Sequence, residues 1–266
     1  METKTIKIHI IGGGNLGVAL AIGLSRFSAN SVITITRRNI QQIQFLEDQN
    51  IRVSSNNTFE INQADIILLT VKPYQVGVVL DEILPHITNK IIVSAVSGLS
   101  INTLEQKTNH AHSIVRIMPN IAAQFGESAT CISFSEKNNE AGRKIFELFS
   151  LLGTALIIDE KLMDGATILG ACGTAYALRY IRAAMQAGIE IGFDVQTALA
   201  IASQTVKGAA QMTLEEKIHP EQLIDRVTTP QGCTIVGLNE MEHQGFSSSL
   251  IKGIKTSFDK IKEGAR

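Results

Sequence analysis

Three glycines at the start of the chain could do chemistry together. Gly12, Gly14 and Gly17 fill the three fixed positions of G-x-G-x-x-G in the run Ile11-Gly12-Gly13-Gly14-Asn15-Leu16-Gly17. Residues of this type and spacing hold a diphosphate. The first glycine permits a tight turn, the second lets a pyrophosphate approach the backbone, and the third lets a helix pack close to a strand. The apolar stretch Ile6-Lys7-Ile8-His9-Ile10 precedes the turn, so the glycines lie where a first strand should give way to a first helix. Free N–H groups and the positive end of the helix dipole would face the phosphates.

A second cluster selects between dinucleotides. Ser31–Thr36 reads as the next strand because of its β-branched residues. An NAD-binding unit places an acid about 20 residues beyond the glycines to take the ribose 2′-hydroxyl. Here the strand ends in Thr36-Arg37-Arg38, without an acid. A hydroxyl and two guanidiniums suit a 2′-phosphate, which accepts charge-assisted, often bidentate hydrogen bonds. The residues favour NADP(H) over NAD(H).

Further groups belong at the same sheet edge. Ligands of doubly wound sheets sit beyond the C-terminal ends of the strands. The third expected strand ends in Thr70-Val71-Lys72-Pro73, where Lys72 can reach a phosphate or ribose. The fourth ends in Ser94-Ala95-Val96-Ser97-Gly98, small residues that leave room for a nicotinamide ring. The turn G-x-S-x-G is absent, so neither serine reads as a nucleophile. Far downstream, Thr228-Thr229-Pro230-Gln231-Gly232 reads as a loop feeding a helix near Cys233. Its backbone N–H groups and the hydroxyls of Thr229 and Thr234 would bind a carboxylate. Spacing alone leaves an ordinary helix start equally open. The histidines show no metal-ligand pattern, so no metal site is expected.

The elements that must position these groups fall into two kinds. Strand-like runs at Ile6–Ile11, Ser31–Thr36, Asp65–Val71, Lys90–Ala95, Ser113–Ile117, Ala129–Phe134 and Ala155–Ile158 alternate with helical patterns. Alternation of this kind predicts βαβ units and a mostly parallel, Rossmann-type sheet. Beyond Asp159 only helices are expected, at 163–191, 195–216, 220–227, 233–243 and 247–262, with Asp194 capping the second and Ser247 or Ser248 the last. The expected domains are therefore 1–159, which binds the nucleotide, and 160–266, which is helical. The second has so few charges between Gly165 and Ala202 that its long helices are expected to pack against another copy.

The chain has 266 residues and a net charge of −1, which gives no basic footprint for nucleic acid. Three scattered cysteines without a C-x-x-C pair suit a reducing cytoplasm. The N-terminus lacks the features of a signal peptide. Asp164, Arg179, Arg182, Glu190 and Asp194 interrupt the most apolar segment, so no membrane span is expected.

Taken in order, these segments resemble the pyrroline-5-carboxylate reductase family. The matching residues are Gly12–Gly17, Val71-Lys72-Pro73, Arg116-Ile117-Met118-Pro119-Asn120, Asp164–Tyr176, Gln204–Ala210, His219-Pro220 and Val227–Leu238. The last is similar to the family signature V-T-S-P-G-G-T-T-I-x-G-L. The resemblance implies NADPH-dependent reduction of 1-pyrroline-5-carboxylate to L-proline, the last step of proline biosynthesis. It also implies a helical domain that forms a homodimer or a larger homo-oligomer. Implied cofactor contacts are Ile11, Gly12, Gly13, Gly14, Asn15, Leu16, Asn57, Thr70, Val71, Lys72, Pro73, Ala95, Val96 and Ser97. The backbone around Thr229, Gly232 and Cys233 would hold the substrate carboxylate. Thr234 would hydrogen-bond the ring nitrogen.

The chain also departs from the family. Gly170-Ala171-Cys172-Gly173-Thr174-Ala175-Tyr176 stands where the family usually has S-G-S-G-P-A-Y, and Gln231-Gly232-Cys233 replaces G-G-T. Another cyclic imine or small acid as substrate, or NADPH binding without turnover, are the alternatives these changes raise.

Overall fold

The computed structural model describes residues 5–264. Eight strands form one sheet: β1 (Ile6–Ile11), β2 (Ser31–Thr36), β3 (Arg52–Ser54), β4 (Ile66–Leu69), β5 (Ile91–Ser94), β6 (Ser113–Met118), β7 (Ser128–Phe134) and β8 (Gly153–Ile157), in the order β3-β2-β1-β4-β5-β6-β7-β8. All neighbours are parallel except β6 and β7. The order reverses between β1 and β4, which makes their C-terminal ends the topological switch point. The fold is the expected mostly parallel sheet followed by helices.

Burial explains the parity of each strand. Ile8 and Ile10 of β1 and Ile66 and Leu68 of β4 enter one apolar cluster with α1 (Asn15–Phe27) and α4 (Asn139–Ser150). Ile11, Ile67 and Leu69 enter another, with α2 (Val76–Ile83) and α3 (Ile101–Lys107). β4, covered on both faces, is buried at every position, as a central parallel strand must be.

Several local expectations change. β3 adds a strand too short for its alternation to register, so the strand ending before Thr70 is the fourth. The helix expected at 39–49 is a pair of 3₁₀ turns, Ile40–Gln42 and Gln44–Gln49, the first capped by Asn39. The helix expected at 163–191 is interrupted. α5 (Met163–Ala166) leads into a π-helix at Thr167–Cys172 before α6 (Gly173–Glu190). Within the wide turn the Gly170 carbonyl accepts a bond from Asn120 Nδ2 at 3.2 Å, a partner 50 residues away that no local pattern announces.

Residues up to Ala171 belong to one compact unit, and Cys172–Lys260 form a second. The second contains α6, α7 (Val195–Glu216), α8 (Pro220–Arg226), α9 (Cys233–His243) and most of α10 (Phe246–Gly264). Asp194 caps α7 through bonds from the N–H groups of Gln196 and Thr197. Ser247 and Ser248 do not cap α10, because the helix already begins at Phe246. Gly245, at φ +80°, makes the turn instead. Among the described residues, no helix is long and apolar enough to cross a membrane.

Candidate active site

The switch point is built around backbone contacts. Gly12 has φ +116°, and a Cβ there would lie 2.9 Å from the Thr70 carbonyl. A Cβ on Gly17 would stand 2.0 Å from the Gly12 oxygen. Both positions therefore exclude any side chain. Gly14 differs, because nothing lies within 4 Å of its would-be Cβ. Its missing side chain leaves open space in front of the start of α1. Gly14 is the N-cap, and neither a capping side chain nor an acid occupies the first turn. The first N–H groups of α1 are therefore free to meet an anion.

The strands on either side fix this turn. Gly12 and Gly13 both donate to the Thr36 carbonyl, at 3.2 and 2.9 Å. Thr70 Oγ1 donates to the Gly12 oxygen at 2.7 Å. Arg37 donates through its guanidinium to the Gly13 carbonyl and to Gln42 Oε1, so a contact with its close neighbour sets its direction. Arg38 is exposed. Thr36 is fully buried, and its hydroxyl donates to Asn57 Oδ1 at 2.6 Å. The expectation that this hydroxyl faces a phosphate is thereby corrected: its role is to hold Asn57.

The other exits gather at the same edge because β1, β2, β4 and β5 run parallel. β4 ends at Leu69, so Thr70, Val71, Lys72 and Pro73 lie beyond the strand, with Lys72 exposed. Ala95 and Val96 are buried and Ser97 is half-buried beyond β5. Ser94 is buried and its Oγ accepts from Val96 N at 3.3 Å, which suits a structural hydroxyl. Arg116, buried in β6, pairs with Glu160 at 2.7 Å, and the same Glu160 oxygen accepts from Ile101 N at the start of α3. Sequence reading misses Gln42 and Glu160, because each lies outside the motifs and is tied to Arg37 or Arg116 only by the fold, as Glu82 is to Asn57, whose Nδ2 donates to it at 2.9 Å.

In the helical unit, the loop and helix expected at 228–234 are present. Thr228 Oγ1 bonds back to the Ile224 carbonyl at 2.7 Å, and Gly232 N donates to the Thr229 carbonyl at 2.9 Å. Gly232 is the N-cap of α9 and no side chain caps that helix. Its Cα packs under Thr229, whose Oγ1 would lie 2.5 Å from a Cβ at 232. Thr229, Cys233 and Thr234 are exposed. The arrangement leaves the first N–H groups of α9 without a side-chain cap, with the Thr229 hydroxyl beside the turn that precedes them. Gln231 holds φ +62°, a left-handed conformation at the position where the signature quoted above has glycine.

Comparison with known proteins decides the family. A family profile described as pyrroline-5-carboxylate reductase dimerisation matches residues 160–264. One described as NADP oxidoreductase, coenzyme F420-dependent, matches residues 7–98. Pyrroline-5-carboxylate reductase 2 of Dictyostelium discoideum is 40% identical, over 96% of this chain and 91% of its own length.

The chain belongs to the pyrroline-5-carboxylate reductase family.

The family's enzyme from Methanosarcina acetivorans is 34% identical over 97% of both chains. Pyrroline-5-carboxylate reductase 1 of Dictyostelium discoideum is 42% identical over 95% of this chain, which spans only 49% of that protein's length. The crystal structure of Plasmodium falciparum pyrroline carboxylate reductase with NADP bound superposes with a TM-score of 0.86 at 28% identity, covering 99% of this chain and 100% of that one. Residues 160–264 are thus this family's dimerisation segment.

Proposed function

We propose that this chain is an NADPH-dependent reductase that converts 1-pyrroline-5-carboxylate to L-proline. The observation that carries the reading is the glycine cradle. Gly12 and Gly17 are closed by backbone and Gly14 is open before an uncapped helix start. A dinucleotide pyrophosphate fits such a cradle. Ile11, Gly12, Gly13, Gly14, Asn15 and Leu16 would hold it. Arg37 and Arg38 would take a 2′-phosphate, Asn57 would bound the ribose, and Thr70–Pro73 and Ala95–Ser97 would line the remaining edge. When bound, NADPH supplies the hydride.

The chain's own residues would orient and bind. In the reading, the backbone around Gly232 and the uncapped N–H groups that begin at Cys233, with Thr229, hold the substrate carboxylate. Thr234 Oγ1 hydrogen-bonds the ring nitrogen. A threonine hydroxyl is a poor acid, so its part is orientation, and the nitrogen proton comes with an iminium substrate or from water. The proposal takes residues 1–159 as the nucleotide domain and 160–266 as the helical one, and takes the working form as a homodimer or a larger homo-oligomer. The three free cysteines support a cytoplasmic location.

Steady-state NADPH oxidation with 1-pyrroline-5-carboxylate tests this. Turnover is expected. Thr234→Ala should lower kcat/KM by roughly a hundredfold while leaving NADPH affinity within about twofold. Parallel loss of both would remove Thr234 from the substrate site. Replacing Arg37 and Arg38 with alanine should weaken NADPH about tenfold more than NADH. An unchanged ratio would make both arginines bystanders. NADPH binding without turnover would redirect the search to another cyclic imine or small acid.

A further inference from the structure

A single carboxylate holds the far end of the loop that leaves β5. That strand ends at Ser94, and the chain runs through Ala95, Val96 and Ser97 to α3, which begins at Ile101. The sheet fixes the near end, since Ala95 N donates to the Leu69 carbonyl beside it at 3.0 Å. Glu160 fixes the far end. Its Oε1 accepts from Ile101 N at 2.7 Å, while Ser100 Oγ accepts from Thr103 N at 3.1 Å. Between them the two side chains satisfy N–H groups that the first turn of a helix leaves without a partner. Gly98, at φ +73°, bends the chain between the two anchors.

Glu160 is itself held in place. Arg116 of β6 stands beside Ser94 in the parallel register and is 5% exposed. Its Nη1 donates to the same Glu160 oxygen at 2.7 Å. A guanidinium buried this deeply is costly without an anion, and Glu160 is that anion. The backbone around Glu160 is fixed as well. Asp159 Oδ1 accepts from Lys161 N at 3.0 Å, and Met163 is buried just beyond. One oxygen therefore ties β6, the start of α3 and the first residue of the 160–264 segment at one point.

We propose that Glu160 is a positioning residue for hydride transfer: by holding the start of α3, with Arg116 orienting its carboxylate, it sets the 95–97 loop against which the nicotinamide ring lies. The proposal rests on the reading of that loop as part of the cofactor site. The glycine cradle belongs to a different loop, between β1 and α1. Loss of Glu160 should therefore misplace the ring while the dinucleotide keeps its pyrophosphate anchor.

Four forms of the full chain test it: wild type, Glu160→Ala, Glu160→Gln and the double variant Arg116→Met/Glu160→Ala. Each is measured by steady-state kinetics with 1-pyrroline-5-carboxylate, by NADPH fluorescence titration and by thermal melt. Titration with adenosine 2′,5′-bisphosphate, which lacks the nicotinamide, completes the set. Glu160→Ala should lower kcat about tenfold, with Kd for NADPH raised less than about threefold. Its Kd for adenosine 2′,5′-bisphosphate should stay within about twofold of wild type. The nicotinamide emission of bound NADPH should move toward that of the free cofactor. Glu160→Gln keeps an oxygen for Ile101 N and should restore kcat to within about threefold of wild type. The double variant removes the stranded guanidinium, so it should melt above Glu160→Ala while its kcat stays low. If Glu160→Ala does not fold, the double variant gives the same comparison with wild type. Wild-type kcat in folded Glu160→Ala overturns the proposal. So does recovery of kcat together with stability in the double variant, or an equal weakening of adenosine 2′,5′-bisphosphate. If wild type binds NADPH without reducing 1-pyrroline-5-carboxylate, the substrate reading fails while the emission of bound NADPH still decides for or against Glu160. If wild type binds no NADPH, the cofactor reading fails and the proposal with it.

Discussion

The two units of the chain treat apolar surface differently. In the sheet unit, Ile10, Leu20, Ile35, Leu68 and Phe149 are fully or almost fully buried, and each face of the sheet has its own covering helices. In the helical unit, α6 and α9 bury no residue, α7 buries only Ala198 and Ala202, and α8 only Leu223. Leu178, Ile191, Leu199 and Leu214 are exposed on the single chain. A monomer rarely leaves so many large apolar groups open, and this segment is the family's dimerisation segment. The sheet unit thus has a core of its own, whereas the helical unit leaves its apolar groups uncovered on the single chain. The difference sets an expectation: the stability of the first should not change with protein concentration, and that of the second should rise with it.

The comparison can be broken most forcefully at Gly17. Gly17→Val forces a Cβ to within 2.0 Å of the Gly12 oxygen. It should cost more than about 4 kcal/mol and remove NADPH binding at every protein concentration. Retained binding in a titration would mean that the turn can open, so that the sheet unit is less self-determined than its packing indicates.

Acid should act on the sheet unit next. The pKa of His9 is lowered from 6.5 to about 4 by burial. The unfolded chain therefore binds more protons over that window, and stability falls as pH drops from about 6.5 to about 4, by roughly 3 kcal/mol. His112, lowered by burial and by Lys90 nearby, adds in the same direction. Urea melts at fixed protein concentration should show this slope, and His9→Leu should flatten it. A slope unchanged in that variant would assign the acid sensitivity elsewhere.

The helical unit should respond to dilution and charge instead. Leu178→Lys is harmless on a solvated helix but costs about 2 kcal/mol or more in a covered interface. Sedimentation should show a shift toward monomer, with NADPH affinity unaffected. No change in assembly would leave Leu178 outside the interface. The smallest effect is expected at Gln231→Gly, which relieves a left-handed glutamine and should stabilise by about 0.5–1 kcal/mol. A loss of stability there would mean that the Gln231 side chain contributes more than its backbone costs.

The same contrast explains what was legible in the sequence. β1 and β2 can be read to the residue because β-branched and apolar runs meet sharp punctuation at Gly12 and Arg37. The glycine turn is legible because steric exclusion dictates residue type directly. Helices α7 and α9 have equally clear limits, set by Asp194 and by the Pro230–Gly232 loop. What could not be read depends on contacts distant in sequence. The π-helix at Thr167–Cys172 is linked to Asn120. The hydroxyl of Thr36 turns inward to Asn57, and Arg37 is held by Gln42. In each case side-chain chemistry is clear in the sequence, but its direction is set by a partner that only folding supplies.

The wide turn at Thr167–Cys172 has a consequence for how this chain can change length. A π-turn holds about one residue more than an α-turn of the same span. Deleting one residue there lets the segment tighten to an α-helix while the faces of the flanking helices keep their phase. The same deletion inside α7 would rotate every following side chain by about 100° and scramble the apolar stripe. The turn is therefore a reservoir of slack, the one π-helical stretch among the described residues, where a shortened gene could still encode the same surface.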